Sequence, residues 1–230
     1  MDLRTILLIR EDSVVKYVSS IHSETMRKHL KLYFIMGSIN CQRHPVNVLS
    51  EAIAGGITLF QYREKGPGAL MGQANLDLAK QLQKLCREHH IPFIVNDDIS
   101  LAMAIGADGV HVGQDDESAS VIRKKLGAHT IVGVSAHTFA EAQQAIQDGA
   151  NYLGIGPIYP TQSKPDAKEV QGTGLIQELR TKGIDIPLVG IGGITVDNAA
   201  AVIKAGADGI SVISAIANAA SVRDAAASFI

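Results

Sequence analysis

Short apolar runs recur along this sequence, each separated from the next by a longer amphipathic or polar stretch. Eight of them read as strands: Leu32–Met36, Leu59–Tyr62, Phe93–Asn96, Gly109–Val112, Ile131–Ser135, Tyr152–Gly156, Leu188–Gly190 and Gly209–Ile213. Between them apolar residues fall at helical spacing, as in Ala69–Arg87, Ser118–Leu126, Thr138–Gln147 and Val196–Lys204. Four predicted helix ends are variants of one phrase: Ala54-Gly55-Gly56-Ile57-Thr58, Ile105-Gly106-Ala107-Asp108-Gly109, Asp148-Gly149-Ala150-Asn151-Tyr152 and Ala205-Gly206-Ala207-Asp208-Gly209. Each places glycine where a helix can stop and a buried strand soon follows, so one supersecondary unit repeats. Strands alternating with helices make a parallel sheet. Eight units predict an α/β fold, a (β/α)₈ TIM barrel in a single domain, with a doubly wound open sheet as the alternative. Residues 1–28 read as a helical N-terminal extension and 29–230 as the barrel.

Composition narrows the function more than the fold. The 230 residues carry a net charge of −2, with 19% charged and 46% hydrophobic residues. That charge gives no field for nucleic acid or an anionic membrane, so any phosphate site must be local and built by loops. Tryptophan is absent and aromatics make up 4%, which argues against stacking platforms for single strands. Cys41 and Cys86 lack CxxC spacing and read as free thiols. The opening apolar run stops at Arg10, Glu11 and Asp12, too short for a signal sequence or a span, and a cytoplasmic location is expected. Self-association is left open.

Polar residues gather where predicted strands end, which is where barrels place their chemistry. Gln61, Arg63 and Lys65 fall at alternate positions and share one face, as an anion cradle or as ordinary charge on a solvated edge. Asp97 and Asp116 end neighbouring strands, where their carboxylates suit Mg²⁺; helix capping is the competing reading for both acidic pairs, Asp97-Asp98 and Asp115-Asp116. Gly190-Ile191-Gly192-Gly193 after the seventh strand is either a backbone phosphate loop or a tight turn. The long polar loop Tyr159–Gly172 reads as a lid. His111 reads as a core histidine, and His137 shows no evident acidic partner, so no Ser-His-Asp triad is expected.

Six stretches together resemble the thiamine phosphate synthase family: Gln61-Tyr62-Arg63-Glu64-Lys65, Val95-Asn96-Asp97-Asp98, His111–Asp116, Gly133–His137, Gly154–Thr161 and Val189–Ile194. The match runs in order from about residue 32 to the C-terminus, departing where Tyr62 replaces the more usual Phe and Ser163 the more usual Thr. The resemblance implies a (β/α)₈ transferase joining hydroxymethylpyrimidine diphosphate to a thiazole phosphate, or its carboxylated precursor, with release of pyrophosphate. It implies that Gln61, Tyr62, Arg63, Glu64, Lys65 and Asn96 hold the diphosphate and that Asp97 and Asp116 bind Mg²⁺. Ser135 would contact the pyrimidine. The Thr161–Lys164 stretch (Thr161, Gln162, Ser163, Lys164) would handle phosphates, and Gly193, Ile213 and Ser214 would hold the thiazole phosphate. Arg63, Lys65, Ser135 and Lys164 would carry catalysis through a dissociative, carbocation-like displacement. Three rival readings remain: a thiazole tautomerase, a Schiff-base aldolase using Lys65 or Lys164, and a non-catalytic phosphate-binding regulator.

Overall fold

The computed structural model describes residues 21–163 and 169–230. Its strands are β1 (Leu32–Met36), β2 (Leu59–Tyr62), β3 (Phe93–Asn96), β4 (Gly109–Val112), β5 (Ile131–Ala136), β6 (Tyr152–Ile155), β7 (Leu188–Ile191) and β8 (Gly209–Val212). All neighbours pair in parallel, and β8 returns to β1 through Leu32↔Ile210 and Phe34↔Val212, which closes the barrel and excludes the open sheet. The helices are α1 (Ser23–Leu30), α2 (Pro45–Ala54), α3 (Gly72–Glu88), α4 (Ile99–Ile105), α5 (Ala119–Leu126), α6 (Phe139–Gln147), α7 (Gly174–Thr181), α8 (Val196–Lys204), α9 (Ser214–Ala217) and α10 (Val222–Ala227). α3 starts three residues later than its apolar spacing predicts. The Ala69 N–H turns back to Gly66 and the Leu70 N–H donates to Glu64, which holds this segment out of the helix.

Two apolar layers follow from strand alternation. Leu32, Phe34, Met36, Phe60, Phe93, Val110, Val132 and Leu153 pack outward in one cluster with the helices. Tyr33, Ile35, Leu59, Ile94, Ile131, Tyr152 and Val189 belong to a second cluster inside the barrel. Met26 and Leu30 of α1 join that inner cluster fully buried, so α1 crosses residue 28 and stoppers the barrel floor. Gly209 makes the close approach possible: a Cβ there would lie 1.7 Å from the Leu30 carbonyl oxygen.

The repeated phrase has a specific purpose. Its last polar residue accepts the backbone N–H at the start of a neighbouring odd-numbered strand. Thr58 takes Leu32 N at 2.9 Å, Asp108 takes Phe93 N at 2.8 Å, Asn151 takes Val132 N at 2.8 Å and Asp208 takes Leu188 N at 2.7 Å. These groups satisfy buried donors at the amino-terminal rim, where no ladder bond reaches them. A second layer of donors locks the turns themselves. Gln83 caps the carbonyls of Ile105 and Gly106, Arg123 that of Gly149, and Arg180 that of Gly206.

Asp208 ties most elements together, since Arg27 of α1 and Arg180 of α7 both reach it. Its side chain is 17% exposed, so water competes weakly for these bonds. Asp208→Asn should therefore destabilise the fold by about 1–2 kcal/mol, the scale of one charge-assisted hydrogen bond. Urea unfolding checks this, and an unchanged midpoint would show that the amide replaces the carboxylate at no cost.

Candidate active site

A cavity of about 220 Å³ opens where the strands end. It is lined by side chains following every strand from β2 to β8, so only barrel closure assembles it. On one side stand Arg63, Lys65, Asn96, Asp97 and Asp116; on the other Thr161, Ser163, Gly193, Ile213 and Ser214; Ser135 lies between.

The cationic side is built by tight packing of the first two loops. The Arg63 N–H donates to the Met36 carbonyl at 3.0 Å. A Cβ on Gly37 would lie 2.1 Å from the Arg63 carbonyl oxygen, so the bare glycine lets the two segments meet. Glu64 clamps the same junction, accepting from Ser38 N at 2.7 Å, Ser38 Oγ at 2.5 Å and Leu70 N at 2.8 Å. Arg63 is consequently 4% exposed yet lines the cavity, a preorganised guanidinium. Lys65 is half exposed and its Nζ pairs with Asp97 Oδ2 at 2.7 Å.

The acidic pair separates from the capping residues. Asp98, not Asp97, caps α4, its carboxylate accepting the Leu101 N–H at 2.8 Å. Asp97 instead adopts a left-handed backbone, φ 59°, unusual for a residue with a side chain. Ser118 is the N-cap of α5, while Asp116 Oδ2 accepts the Gly113 N–H at 2.8 Å and orders the loop after β4. Both Asp97 and Asp116 face the cavity. Burial pushes the Asp97 carboxyl above its ordinary value; Lys65 pulls against this and the charge of Asp116 adds to it. Two carboxylates brought together in this way fit a hard cation that completes its shell with water and phosphate.

Four predicted site residues do not line the cavity. Tyr62 and Glu64 alternate to the opposite face from Arg63: the Tyr62 hydroxyl donates to Asn75 Oδ1 of α3 at 2.8 Å, and Glu64 is spent on the clamp. Gln61 shares the inward face but sits one step deeper, 1% exposed, donating from Nε2 to the Tyr33 hydroxyl at 2.7 Å. Gln162 is exposed to solvent. Lys164 lies outside the described residues, as does the middle of the Tyr159–Gly172 loop.

The opposite side is a backbone surface. Gly192 and Gly193 both have positive φ, 99° and 62°, and a Cβ on Gly193 would lie 2.4 Å from the Pro160 carbonyl oxygen. Glycine is required there by both conformation and contact. Ser163 Oγ donates to Ser214 Oγ at 3.0 Å, joining the first part of the long loop to the start of α9. At the loop's return, Gln171 Nε2 donates to the His137 carbonyl at 3.1 Å.

Two histidines have partners that the sequence did not connect to them. His137 has an acidic partner after all: Glu141, one helical turn on, accepts its backbone N–H at 2.6 Å and lies 3.2 Å from Nδ1. His111 is buried as a core histidine would be, yet it lines the cavity, with Nε2 2.9 Å from Ser135 Oγ. Ser135 is thus paired with an imidazole that sequence spacing alone did not connect to it.

Comparison with known proteins agrees with this geometry. Residues 32–216 match the family described as thiamine monophosphate synthase. The chain is 60% identical to the thiamine-phosphate synthase of Geobacillus thermodenitrificans over 210 residues, 91% of this chain and 95% of that protein. It is 58% identical over 199 residues to that of Bacillus cereus, 86% of this chain and 90% of the relative. Among solved structures, a thiamine phosphate pyrophosphorylase from Pyrococcus furiosus superposes with a TM-score of 0.78 at 36% identity, covering 89% of this chain and 95% of that one. A 3-hexulose-6-phosphate synthase shares the fold alone, with a TM-score of 0.61 at 19% identity.

Proposed function

We propose, from the premise that this chain belongs to the thiamine monophosphate synthase family, that the barrel mouth joins a pyrimidine diphosphate to a thiazole phosphate. The protein is a transferase of thiamine biosynthesis that forms thiamine phosphate. The observation that carries the placement of its two substrates is the division of the cavity into a cationic and acidic half and a glycine-rich half.

Arg63, Lys65 and Asn96 take the diphosphate, Arg63 as a fixed fork and Lys65 as a mobile charge. Asp97 and Asp116 would hold Mg²⁺, which when bound would supply positive charge to neutralise the departing pyrophosphate. Lys65, half exposed on its flexible stem, can turn from Asp97 to the phosphate. On the far side, backbone N–H groups about Gly193 with Ser214, Thr161 and Ser163 take the thiazole phosphate. The C–O bond of the pyrimidine's hydroxymethyl carbon breaks, and its electron pair leaves with pyrophosphate. The electron-rich ring carries the resulting cationic carbon until the thiazole nitrogen donates its lone pair and the C–N bond forms. Both substrates are held in line across a narrow cavity, so positioning and electrostatics supply most of the acceleration.

The rival chemistries lack support of this kind. A Schiff-base lysine must attack as a free neutral amine, whereas Lys65 Nζ is engaged in an ion pair with Asp97 at 2.7 Å. A tautomerase has no diphosphate for a buried Arg63 to hold.

The decisive assay supplies both substrates and Mg²⁺ and measures pyrophosphate release with thiamine phosphate. Equal amounts of the two products are expected, with turnover lost on chelation and restored by Mg²⁺. Pyrophosphate without thiamine phosphate, or turnover indifferent to chelation, would overturn the reading.

A further inference from the structure

Beneath the cavity, five side chains from five strands form an unbroken hydrogen-bonded series. Gln61 Nε2 on β2 donates to the Tyr33 hydroxyl on β1 at 2.7 Å. Tyr33 and the Tyr152 hydroxyl on β6 are 2.8 Å apart. Tyr152 is 3.0 Å from His111 Nδ1 on β4, and His111 Nε2 is 2.9 Å from Ser135 Oγ on β5. Gln61, Tyr33 and Tyr152 are at most 1% exposed and His111 is 7% exposed. An apolar core would fill this space more cheaply, because every buried polar group needs a partner. Two glycines nevertheless make room for the series. A Cβ on Gly133 would lie 2.1 Å from the Tyr152 ring and 2.5 Å from His111 Nδ1, and one on Gly154 would lie 3.1 Å from His111 Cε1.

The series has a direction. Gln61 donates its amide N–H, so the Tyr33 oxygen accepts and its own hydrogen goes to Tyr152. Tyr152 in turn donates to His111 Nδ1. Nδ1 must then be bare, with the imidazole proton on Nε2, directed at Ser135 Oγ. Burial pushes the pKa of both phenols well above the ordinary value, so both keep the hydrogens that this order requires. The opposite order would turn the Gln61 amide over. It would bury an NH₂ group where the carbonyl oxygen now sits without a partner among the described residues, and orphaned donors are rarer in proteins than orphaned carbonyls.

We propose that Gln61, Tyr33 and Tyr152 act as positioning residues that fix His111 in its Nε2-protonated neutral form. Ser135 Oγ then accepts from His111 and presents its own O–H to the cavity as a donor for an acceptor atom of the bound pyrimidine diphosphate. The role of Ser135 rests on the substrate placement proposed above; the histidine tautomer does not.

Nitrogen-15 NMR of histidine-labelled protein without substrate reads that tautomer directly, with His111→Asn used to assign the signal. The expected spectrum has a protonated Nε2 and an unprotonated Nδ1. Tyr33→Phe leaves every cavity-lining side chain in place and removes one link. It should mix the two tautomers and lower kcat/KM for the pyrimidine diphosphate roughly three- to tenfold, the scale of one lost hydrogen bond, while KM for the thiazole phosphate stays within about twofold. A wild-type His111 protonated at Nδ1 would overturn the direction of the series. A Tyr33→Phe enzyme with unchanged spectrum and kinetics, or with equal losses toward both substrates, would overturn its role. If the wild-type spectrum is as expected but no thiamine phosphate forms, the substrate assignment fails and the tautomer assignment stands.

Discussion

Arg63→Ala is expected to lower kcat/KM for thiamine phosphate formation by about 2–4 kcal/mol, or roughly thirtyfold to a thousandfold. The size follows from preorganisation. The guanidinium is 4% exposed, its backbone is tied to Met36, and the neighbouring Glu64 clamps the loops that frame it. Little reorganisation of the guanidinium is needed when charge develops on the departing diphosphate. Lys65→Ala should fall in the same range for a different reason. Lys65 is half exposed and more readily replaced by solvent, but its removal also strips Asp97 of its partner. The two variants should differ in salt dependence, with Lys65→Ala the less sensitive because the exposed charge has gone. Steady-state kinetics with varied pyrimidine diphosphate tests both. Near-wild-type values in the pair would remove the cradle from the site.

The alternation that continues past β2 sets Arg63 and Lys65 on one face and Tyr62 and Glu64 on the other. That division was legible in the residues, even though the family resemblance assigned all four to the diphosphate. Depth was not. Gln61 lies on the same face as Arg63, but the rise of two strand residues, about 6–7 Å, carries it below the cavity floor and into a bond with Tyr33. Whether an inward residue reaches substrate depends on barrel tilt and on what neighbouring strands set beside it, and no single strand encodes either. His111 is the buried, satisfied histidine that the sequence led one to expect, but its partners were not legible, since they come from β5 and β6 through register. The acidic pairs show the reverse case. Asp98 and Asp97 are equally good caps by type, and only the backbone turn at Asp97 decides between them. The repeated Gly-Ala-Asp-Gly phrase was legible as punctuation, while its bonds to the alternate strand required the closed barrel.

Asp116→Asn is the second large effect, and its geometry makes it a clean test of the metal. Asp116 Oδ2 accepts the Gly113 N–H, which leaves Oδ1 as the oxygen available to a cation. Asparagine keeps the shape and can keep the bond to Gly113 through its carbonyl, which turns an NH₂ group toward the metal position. The loop stays ordered while the proposed ligand becomes a donor that cannot ligate. Even groups one shell removed from a metal change its affinity by roughly 10–100-fold when lost, so the Mg²⁺ concentration for half-maximal activity should rise at least about tenfold. Calorimetric titration of Mg²⁺ in the presence of pyrophosphate should show the same weakening without relying on turnover. Asp97→Asn should match it in direction and also release Lys65, whose Nζ now rests on the Asp97 carboxylate. In that variant, therefore, weaker metal binding should come with diphosphate binding that is less impaired than in Asp116→Asn. Identical metal titrations in wild type and Asp116→Asn would exclude this carboxylate as a ligand, and the metal, if required, would then be held by Asp97 and the diphosphate alone.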